Sequence, residues 1–371
     1  MMKNFRKYAR NISHTVAAAV AVAATLAANR ADACTRILYV ATDGTVITGR
    51  GMDWVEDTQP NLWSMPRGVR REGLAGPASI AWTSKYGSLI TSMYEIATVD
   101  GINEKGLAAN MLYLVESDYG TSEGKPMLSI SLWAQYVLDN FATVTEAVEK
   151  LRAEPFRVAA PILPNGSPGT GHLALSDSSG DSAILEYVHG KLVIHHGKEF
   201  TVMTNSPTYD EQLALNTYWK SIGGTTFMPG TNRASDRFVR ASFYLDAIPK
   251  QTDEHFIKAV PDQQFRWQAL ASVLSVLRSV GVPLGISVPG QPNIGTTQWR
   301  TAYNNGERVL YFDSALTPNT FWVDLDELNI TEGAPVMKLS LAGGAVYAGN
   351  TSTKFAKAEP FKFLPALPQG K

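Results

Sequence analysis

The first 33 residues are patterned unlike the rest of the chain. Lys3, Arg6, Lys7 and Arg10 precede an apolar, alanine-rich run from Val16 to Ala28, and polar Asn29 and Arg30 close it. Small residues follow at Ala31 and Ala33. A basic start, a short apolar centre and small residues three and one positions before a cut are the parts of an export signal. The pattern predicts cleavage after Ala33, with export to the periplasm or the medium and a mature chain that starts Cys34-Thr35-Arg36. The run is too short to span a bilayer comfortably, and no other segment is a candidate span.

After Cys34 the pattern changes to strand alternation. Strands are predicted at Cys34–Ala41 and Val46–Met52 around a turn at Asp43-Gly44. A second pair is predicted at Ser79–Tyr86 and Ser88–Glu95 around Gly87. Asp100-Gly101 and Lys105-Gly106 read as turns, and Leu107–Val115 resumes a strand. Helical spacing then runs over Leu128–Asn140, and Thr143-x-x-Glu146 opens a helix to Leu151 with a capping box. His172–Ser176, Ala183–Val188, Lys191–His195 and Phe200–Thr204 return to short strands. Ser235–Ala247 and Gln263–Val280 read as helices, and Thr296–Tyr303, Arg308–Phe312 and Thr320–Asp324 as closing strands. Blocks of strands and helices in turn give an α+β class, compatible with two antiparallel sheets and helices outside. No linker or repeat divides residues 34–371, so one domain is predicted, with no fold assigned to the tail from Lys354.

Charge and cysteine count sharpen this picture. The chain has 33 basic and 34 acidic residues, of which five and one precede Cys34, leaving 28 against 33 and a net charge of −5. A mildly acidic chain offers no basic face for nucleic acid. Cys34 is the only cysteine, so no intramolecular disulfide exists on the oxidising side of the membrane. A cysteine directly after a signal is also what a lipid-anchored protein presents for acylation. That processing favours an aliphatic residue where this chain has Ala31, and a run that polar Asn29 and Arg30 do not interrupt.

Placed first in the chain, Cys34 would carry a thiol and a free α-amino group. The thiol's ordinary pKa is near 8.5 and the amine's about 7.7–8.0, so the amine can take the thiol proton. This is nucleophile-plus-base chemistry supplied by one residue. A guanidinium would favour thiolate, a carboxylate would orient the amine, and peptide N–H groups would hold an oxyanion. Arg50-Gly51-Met52-Asp53-Trp54 follows on the strand expected beside Cys34. Arg50 and Asp53, three apart, face opposite sides of a regular strand unless a bulge or strand end at Gly51 intervenes. From spacing alone they are ordinary charged residues at a strand end.

Five stretches taken in order carry a resemblance: Cys34-Thr35-Arg36, Arg50 to Trp54, Asp100 to Leu107, Thr204-Asn205-Ser206-Pro207 and Asp236-Arg237-Phe238-Val239-Arg240. Together they resemble the choloylglycine hydrolase family, which includes penicillin V acylases, and the likeness runs to about Asp324. The resemblance implies an N-terminal-nucleophile hydrolase with a four-layer αββα fold that cleaves linear, non-peptide amides through an acyl-enzyme, with no metal and no cofactor. It implies Cys34 as nucleophile, Arg50 beside the thiol, Asp53 holding the amine, Asn205 in the oxyanion hole and Arg237 near the nucleophile. Local sequence alone makes Asn205 a turn residue and Arg237 a helix-surface arginine. The second oxyanion donor falls on the backbone of Tyr113, or on Leu114 if the alignment moves by one. Bile-salt hydrolases usually carry asparagine there, whereas tyrosine is typical of penicillin V acylases. The stretch from Asn205 to Arg237 is shorter than in many Gram-positive members, where it helps tetramers assemble, so a homo-oligomer stays open. These features match the Gram-negative branch.

Met52, Trp54, Tyr86, Tyr113 and Leu114 are candidate walls of an apolar substrate pocket, suited equally to a steroid or an aryloxyacetyl group. The substrate expected is a small amide: a conjugated bile salt, penicillin V or a long-chain acyl-homoserine lactone. A non-catalytic periplasmic lipoprotein or ligand-binding module is the alternative, and the presence of all four partner residues speaks against it. No G-x-S-x-G elbow, G-x-x-x-x-G-K-[ST] loop or H-E-x-x-H helix is expected. His195-His196 reads as exposed strand-end histidines, and Asp177–Asp181 as a hairpin turn.

Overall fold

The alternating run after Cys34 forms the strand Thr35–Val40, which turns through Gly44, at φ +88°, and pairs antiparallel with Val46–Trp54. The computed structural model describes residues 34–287 and 295–366; the predicted export segment lies outside them. Thr35 stands opposite Gly51 and Arg36 opposite Arg50, so the next step of the register sets Cys34 beside Met52. Thr296–Asn304 flanks the other side of Val46–Trp54, and Val309–Ser314, Thr320–Asp324 and Gly349–Asn350 continue the sheet outward. Val202–Met203 closes its opposite edge on Thr35–Val40.

A second, larger sheet lies against the first. Its order is Lys191–His196, Ser182–Val188, His172–Ser176, Ala108–Leu112, Ala97–Asn103, Ser88–Met93, Asn61–Met65, Met337–Ser340 and Ala356–Lys357. Val46–Trp54 and Ala108–Leu112 are buried at every position, as strands covered on both faces must be. The seam between the sheets is partly polar. Thr48 and Ser176 share a hydroxyl hydrogen bond of 2.7 Å, and Thr301 Oγ1 donates to the Asp100 carboxylate across the gap. Burial of these groups is tolerated because each finds a partner.

Helices form the outer layers. α1 (Trp133–Asn140) and α2 (Val144–Arg152) cover the second sheet; α3 (Tyr209–Ile222) leans on α4 (Ala234–Ala247), and α4 and α5 (Phe265–Val280) cover the first. α5 approaches closely at Gly49, where an added Cβ would stand 3.0–3.1 Å from Leu277, Ile37 and Val273. The chain therefore has the expected αββα layering, and one cluster of buried apolar side chains runs from Cys34 to Phe363.

Several expected elements differ. Asp100-Gly101 lies inside the strand Ala97–Asn103 rather than at a turn. Asp100 is a buried acceptor for Asn110 Nδ2 and Thr301 Oγ1, and Gly101 leaves room for Ile90 and α1, whose Leu138 would stand 2.9 Å from a Cβ. Tertiary contact has overridden the local turn signal. Within Ser79–Tyr86 only Ala81–Thr83 is strand, and it pairs with Arg70–Glu72, not with Ser88–Met93. That ribbon docks on α1 because Arg71 Nε and Trp82 Nε1 both donate to Asp139 Oδ2, at 2.8 and 2.7 Å. In Leu128–Asn140 the α-helix starts only at Trp133, after a strand at Met127–Ser129 and one 3₁₀ turn. The Thr143 cap forms, its Oγ1 accepting from Glu146 N at 3.2 Å, while Glu146 reaches back to Ala142 N instead of Thr143 N. The tail from Lys354 packs onto the body: Phe361 and Phe363 are buried, and Phe361 meets Trp63 edge-on at 5.2 Å.

Candidate active site

Cys34 ends the strand Thr35–Val40 in full burial, with Arg50, Met52 and Asp53 from the neighbouring strand around its sulfur. Arg50 Nη2 lies 3.6 Å from Cys34 Sγ and donates to the Met111 carbonyl at 3.2 Å. The guanidinium stacks 4.6 Å from the centre of the Trp299 ring. Among the described residues its Nε and Nη1 find no hydrogen-bond partner, and the aromatic face is what covers them. Burial pushes the Cys34 thiol up from its ordinary value, and Arg50 opposes that rise. Burial thus favours the thiol over the thiolate, and attack calls for a base.

Arg50 and Asp53 keep the opposite faces of a regular strand: Arg50 reaches toward the second sheet at the Met111 carbonyl, whereas the Asp53 carboxylate faces Thr297 and Arg237 of α4 and only its backbone carbonyl nears the thiol. The neighbouring strand carries a bulge at this level. Met52 pairs with Trp299 and Asp53 with Thr297, leaving Gln298 as the extra residue. Gln298 is anchored by Thr58 N, which donates to its Oε1 at 3.0 Å, and by its own donation to the Trp54 carbonyl at 3.2 Å. Asp53 is buried, accepts from Thr297 Oγ1 and lies 3.7 Å from Arg237 Nη1. Burial raises its carboxyl to about 6, and Arg237, Thr297 and the other nearby arginines hold the rise in check.

Arg237 is not a surface residue. α4 turns it inward, wholly buried, where Nη1 donates to the Cys34 carbonyl at 2.7 Å and to Thr35 Oγ1 at 2.6 Å. Its Nη2 donates to Asn205 Oδ1 at 3.1 Å. That same oxygen accepts from the Cys34 nitrogen at 2.5 Å, and Asn205 Nδ2 donates to the Tyr113 carbonyl at 2.6 Å. One guanidinium thus ties the first residue of the proposed mature chain to its carboxylate and its amide. Asn205 is set in turn by Gln212 on α3, which donates to the Asn205 and Pro207 carbonyls.

Cys34, Arg50, Met52, Trp54 and Tyr113 open on one apolar cleft of about 620 Å³ including its mouth. Trp54 and Tyr113 meet edge-to-face in its wall, ring centres 5.8 Å apart. Two expected wall residues are elsewhere. Leu114 is fully buried outside the lining, so Tyr113, not Leu114, is the residue at the site. Tyr86 precedes the strand Ser88–Met93, whose other end, Met93, reaches the cleft. At ~3.3 Å per residue the strand carries Tyr86 roughly 20 Å away, where it lies under Lys105.

Sequence reasoning missed Thr297 and Trp299, the residues that hold Asp53 and Arg50. Nothing near them signals chemistry, and 244 residues separate Thr297 from Asp53. Gly120-Thr121-Ser122-Glu123-Gly124 spells the G-x-S-x-G elbow of serine hydrolases. It sits in a loop between Ala108–Leu112 and Met127–Ser129, without the strand-to-helix turn that this motif requires. His195 and His196 are half-buried, not exposed, each bonded to an aspartate (Asp210 and Asp181) at 2.8 Å. Among the described residues no group of three His, Cys, Asp or Glu side chains is placed to hold a metal ion, and no helix is long and apolar enough to cross a membrane.

Comparison with known proteins follows the same lines. Residues 34–338 match the family model of linear amide C–N hydrolases, choloylglycine hydrolase family. The chain is 46% identical to a penicillin V acylase of Pectobacterium atrosepticum, over 98% of this chain and 99% of that one. It is 52% identical to the penicillin V acylase of Agrobacterium tumefaciens, whose structure superposes with a TM-score of 0.80 over 89% of this chain and 99% of that one. A variant conjugated bile acid hydrolase from Clostridium perfringens shares the fold at 20% identity, with a TM-score of 0.66 over 91% and 99% of the two chains. This chain belongs to the choloylglycine hydrolase family and is an amidohydrolase acting on linear amide C–N bonds.

Proposed function

We propose that the protein is exported, cut after Ala33, and hydrolyses penicillin V-type amides with Cys34 as nucleophile. The freed α-amino group takes the proton of Cys34 Sγ, and the sulfur attacks the amide carbonyl carbon. Arg50, 3.6 Å from the sulfur, favours the thiolate as it forms. Negative charge on the carbonyl oxygen is met by the Tyr113 peptide N–H and by the second hydrogen of Asn205 Nδ2, whose first binds the Tyr113 carbonyl. Collapse expels the amine, which leaves with a proton from the α-ammonium, and forms a thioester on Cys34. Water, deprotonated by the same amine, then releases the acid. Asn205 Oδ1 accepts from the Cys34 nitrogen, Asp53 is the carboxylate assigned to orient the α-amine, and Arg237 neighbours both.

The observation that carries the choice of substrate is the edge-to-face pair of Trp54 and Tyr113 beside the thiol, an angled aromatic corner against which the aryl ring of an aryloxyacetyl group can pack. The near full-length identity to penicillin V acylases supports it, whereas the likeness to bile acid hydrolases at 20% concerns the fold. Protein starting at Cys34 is expected to release 6-aminopenicillanic acid from penicillin V with a kcat/KM at least about tenfold above that for glycocholate or a long-chain acyl-homoserine lactone, the scale on which apolar pockets discriminate. The measurement is amine release from the three substrates in parallel. Faster turnover of glycocholate or of the lactone would reassign the substrate, and no turnover of any of them would return the ligand-binding alternative.

A further inference from the structure

One wall of the cleft comes from the far end of the chain. After Ala356–Lys357 the tail runs back across the body, and the peptide of Leu364 is held from three directions. Its N–H donates to the Ile96 carbonyl at 2.8 Å, and its carbonyl accepts from Ser129 Oγ at 2.7 Å and Ser131 Oγ at 2.8 Å. Two residues on, Ala366 N–H donates to the Leu74 carbonyl at 2.9 Å. Phe363, just before Leu364, is buried against Phe361 and lies 5.5 Å from the Arg71 guanidinium. A terminal segment so tied is ordered, because it satisfies its backbone groups and buries aromatic surface.

Leu364 itself lines the cleft, next to Ile96 and Ser131, which line it too. It is half-buried, so its side chain borders open space in the cleft and does not complete a sealed core. It also lies beyond residue 338, where the match to the family model ends. The catalytic residues come from the matched region, and this wall from outside it.

We infer that Leu364, clamped by Ser129, Ser131 and Ile96, is a specificity-determining wall of the acyl site that sets how long an acyl group the thiol accepts. The inference rests on the proposed use of this cleft for the acyl half of the amide. Its physical basis is that each methylene denied a place against an apolar wall loses a definite part of its binding, so one side chain at the right depth sorts chain lengths.

The test uses full-length processed protein and two variants, Leu364→Ala and Leu364→Trp, with straight-chain acyl amides from butanoyl to decanoyl on a common amine. Calorimetric binding of the corresponding free acids is measured alongside. Leu364→Ala is expected to raise the decanoyl-to-butanoyl ratio of kcat/KM by about tenfold, and Leu364→Trp to lower it below that of the parent. The acids should follow the same order in affinity. Ratios within about twofold of the parent in both variants and both readouts would overturn the inference, as would failure of the parent to bind any of the acids. If the parent hydrolyses neither these amides nor penicillin V but the acids shift as expected, the amidase reading of this cleft fails and the wall stands. Leu364→Trp keeps the test open should Leu364→Ala fold poorly.

Discussion

Replacing Cys34 with alanine is expected to lower kcat/KM for every amide by roughly 10⁴-fold or more, with no change in the folded state. Loss of the nucleophile in enzymes that form acyl intermediates costs on this order or above, because the remaining groups have nothing to act on. Alanine removes only the sulfur, whose contacts are long: 3.6 Å to Arg50, 3.7 Å to the Asp53 carbonyl and 3.8 Å to Met52 Sδ. Little packing is lost, so circular dichroism and the melting temperature should stay near the parent's. Cys34→Ser is the companion. It keeps the α-amine and the geometry but offers a hydroxyl that the amine deprotonates poorly, and its activity should lie between the two. A Cys34→Ala protein that still released amine would place the nucleophile elsewhere.

Arg237→Gln is expected to reduce kcat/KM by about 10²–10³-fold, the cost typical of losing one preorganised charged donor, and to move the acid limb of the pH profile upward. The direction follows from Asp53. Its carboxyl is raised to about 6 by burial, and Arg237, 3.7 Å away, is the largest influence pulling it down. Asp53 has to be ionised to hold the α-amine, so activity falls as pH drops through its pKa. Without the guanidinium the carboxylate loses its closest cation, its pKa rises, and the fall begins at a higher pH. A purely structural role for Arg237 would lower activity at all pH values without displacing the limb. Rate profiles of parent and variant between pH 4 and 9 (about the range in which carboxylate and amine titrate) decide between the two.

How much of this was legible follows from what sequence encodes. The hairpin that carries Cys34, Arg50 and Asp53 is local: alternation gives the strands, and Asp43-Gly44 gives the turn. Placement of Asn205 and Arg237 was not local. Spacing made Arg237 a surface helix residue, and only the ordered set of motifs suggested the inward position it occupies. Most failures share one physical cause, namely local signals reversed by distant partners. Asp100-Gly101 is a turn by composition but a strand in the fold, because Thr301 and Asn110 satisfy the carboxylate and the glycine admits α1. Leu128 to Leu132 has helical apolar spacing, yet Ser129 and Ser131 are engaged by the tail more than 230 residues away. Arg50 and Asp53 keep the opposite faces that their spacing predicts, and both serve Cys34 because it stands at the end of its strand, with its thiol toward Arg50 and its carbonyl bound by Arg237, which neighbours Asp53. Asn61–Met65 and α3 went unseen, although Thr208-x-x-Glu211 is a start signal for α3, its Glu211 carboxylate accepting from Thr208 N and Oγ1.

In the proposed mechanism the nitrogen of Cys34 works as the base, which it can do only as a free amine. Two proteins differing by one residue test it: a chain that starts at Cys34 and a chain that keeps Ala33 in front. Intact mass confirms each start, and amine release from penicillin V is then measured at equal concentration. Turnover is expected from the first, and a loss of about 10³-fold or more in the second, in which the same nitrogen is an amide and cannot accept a proton. Equal activity of the two chains would contradict this mechanism.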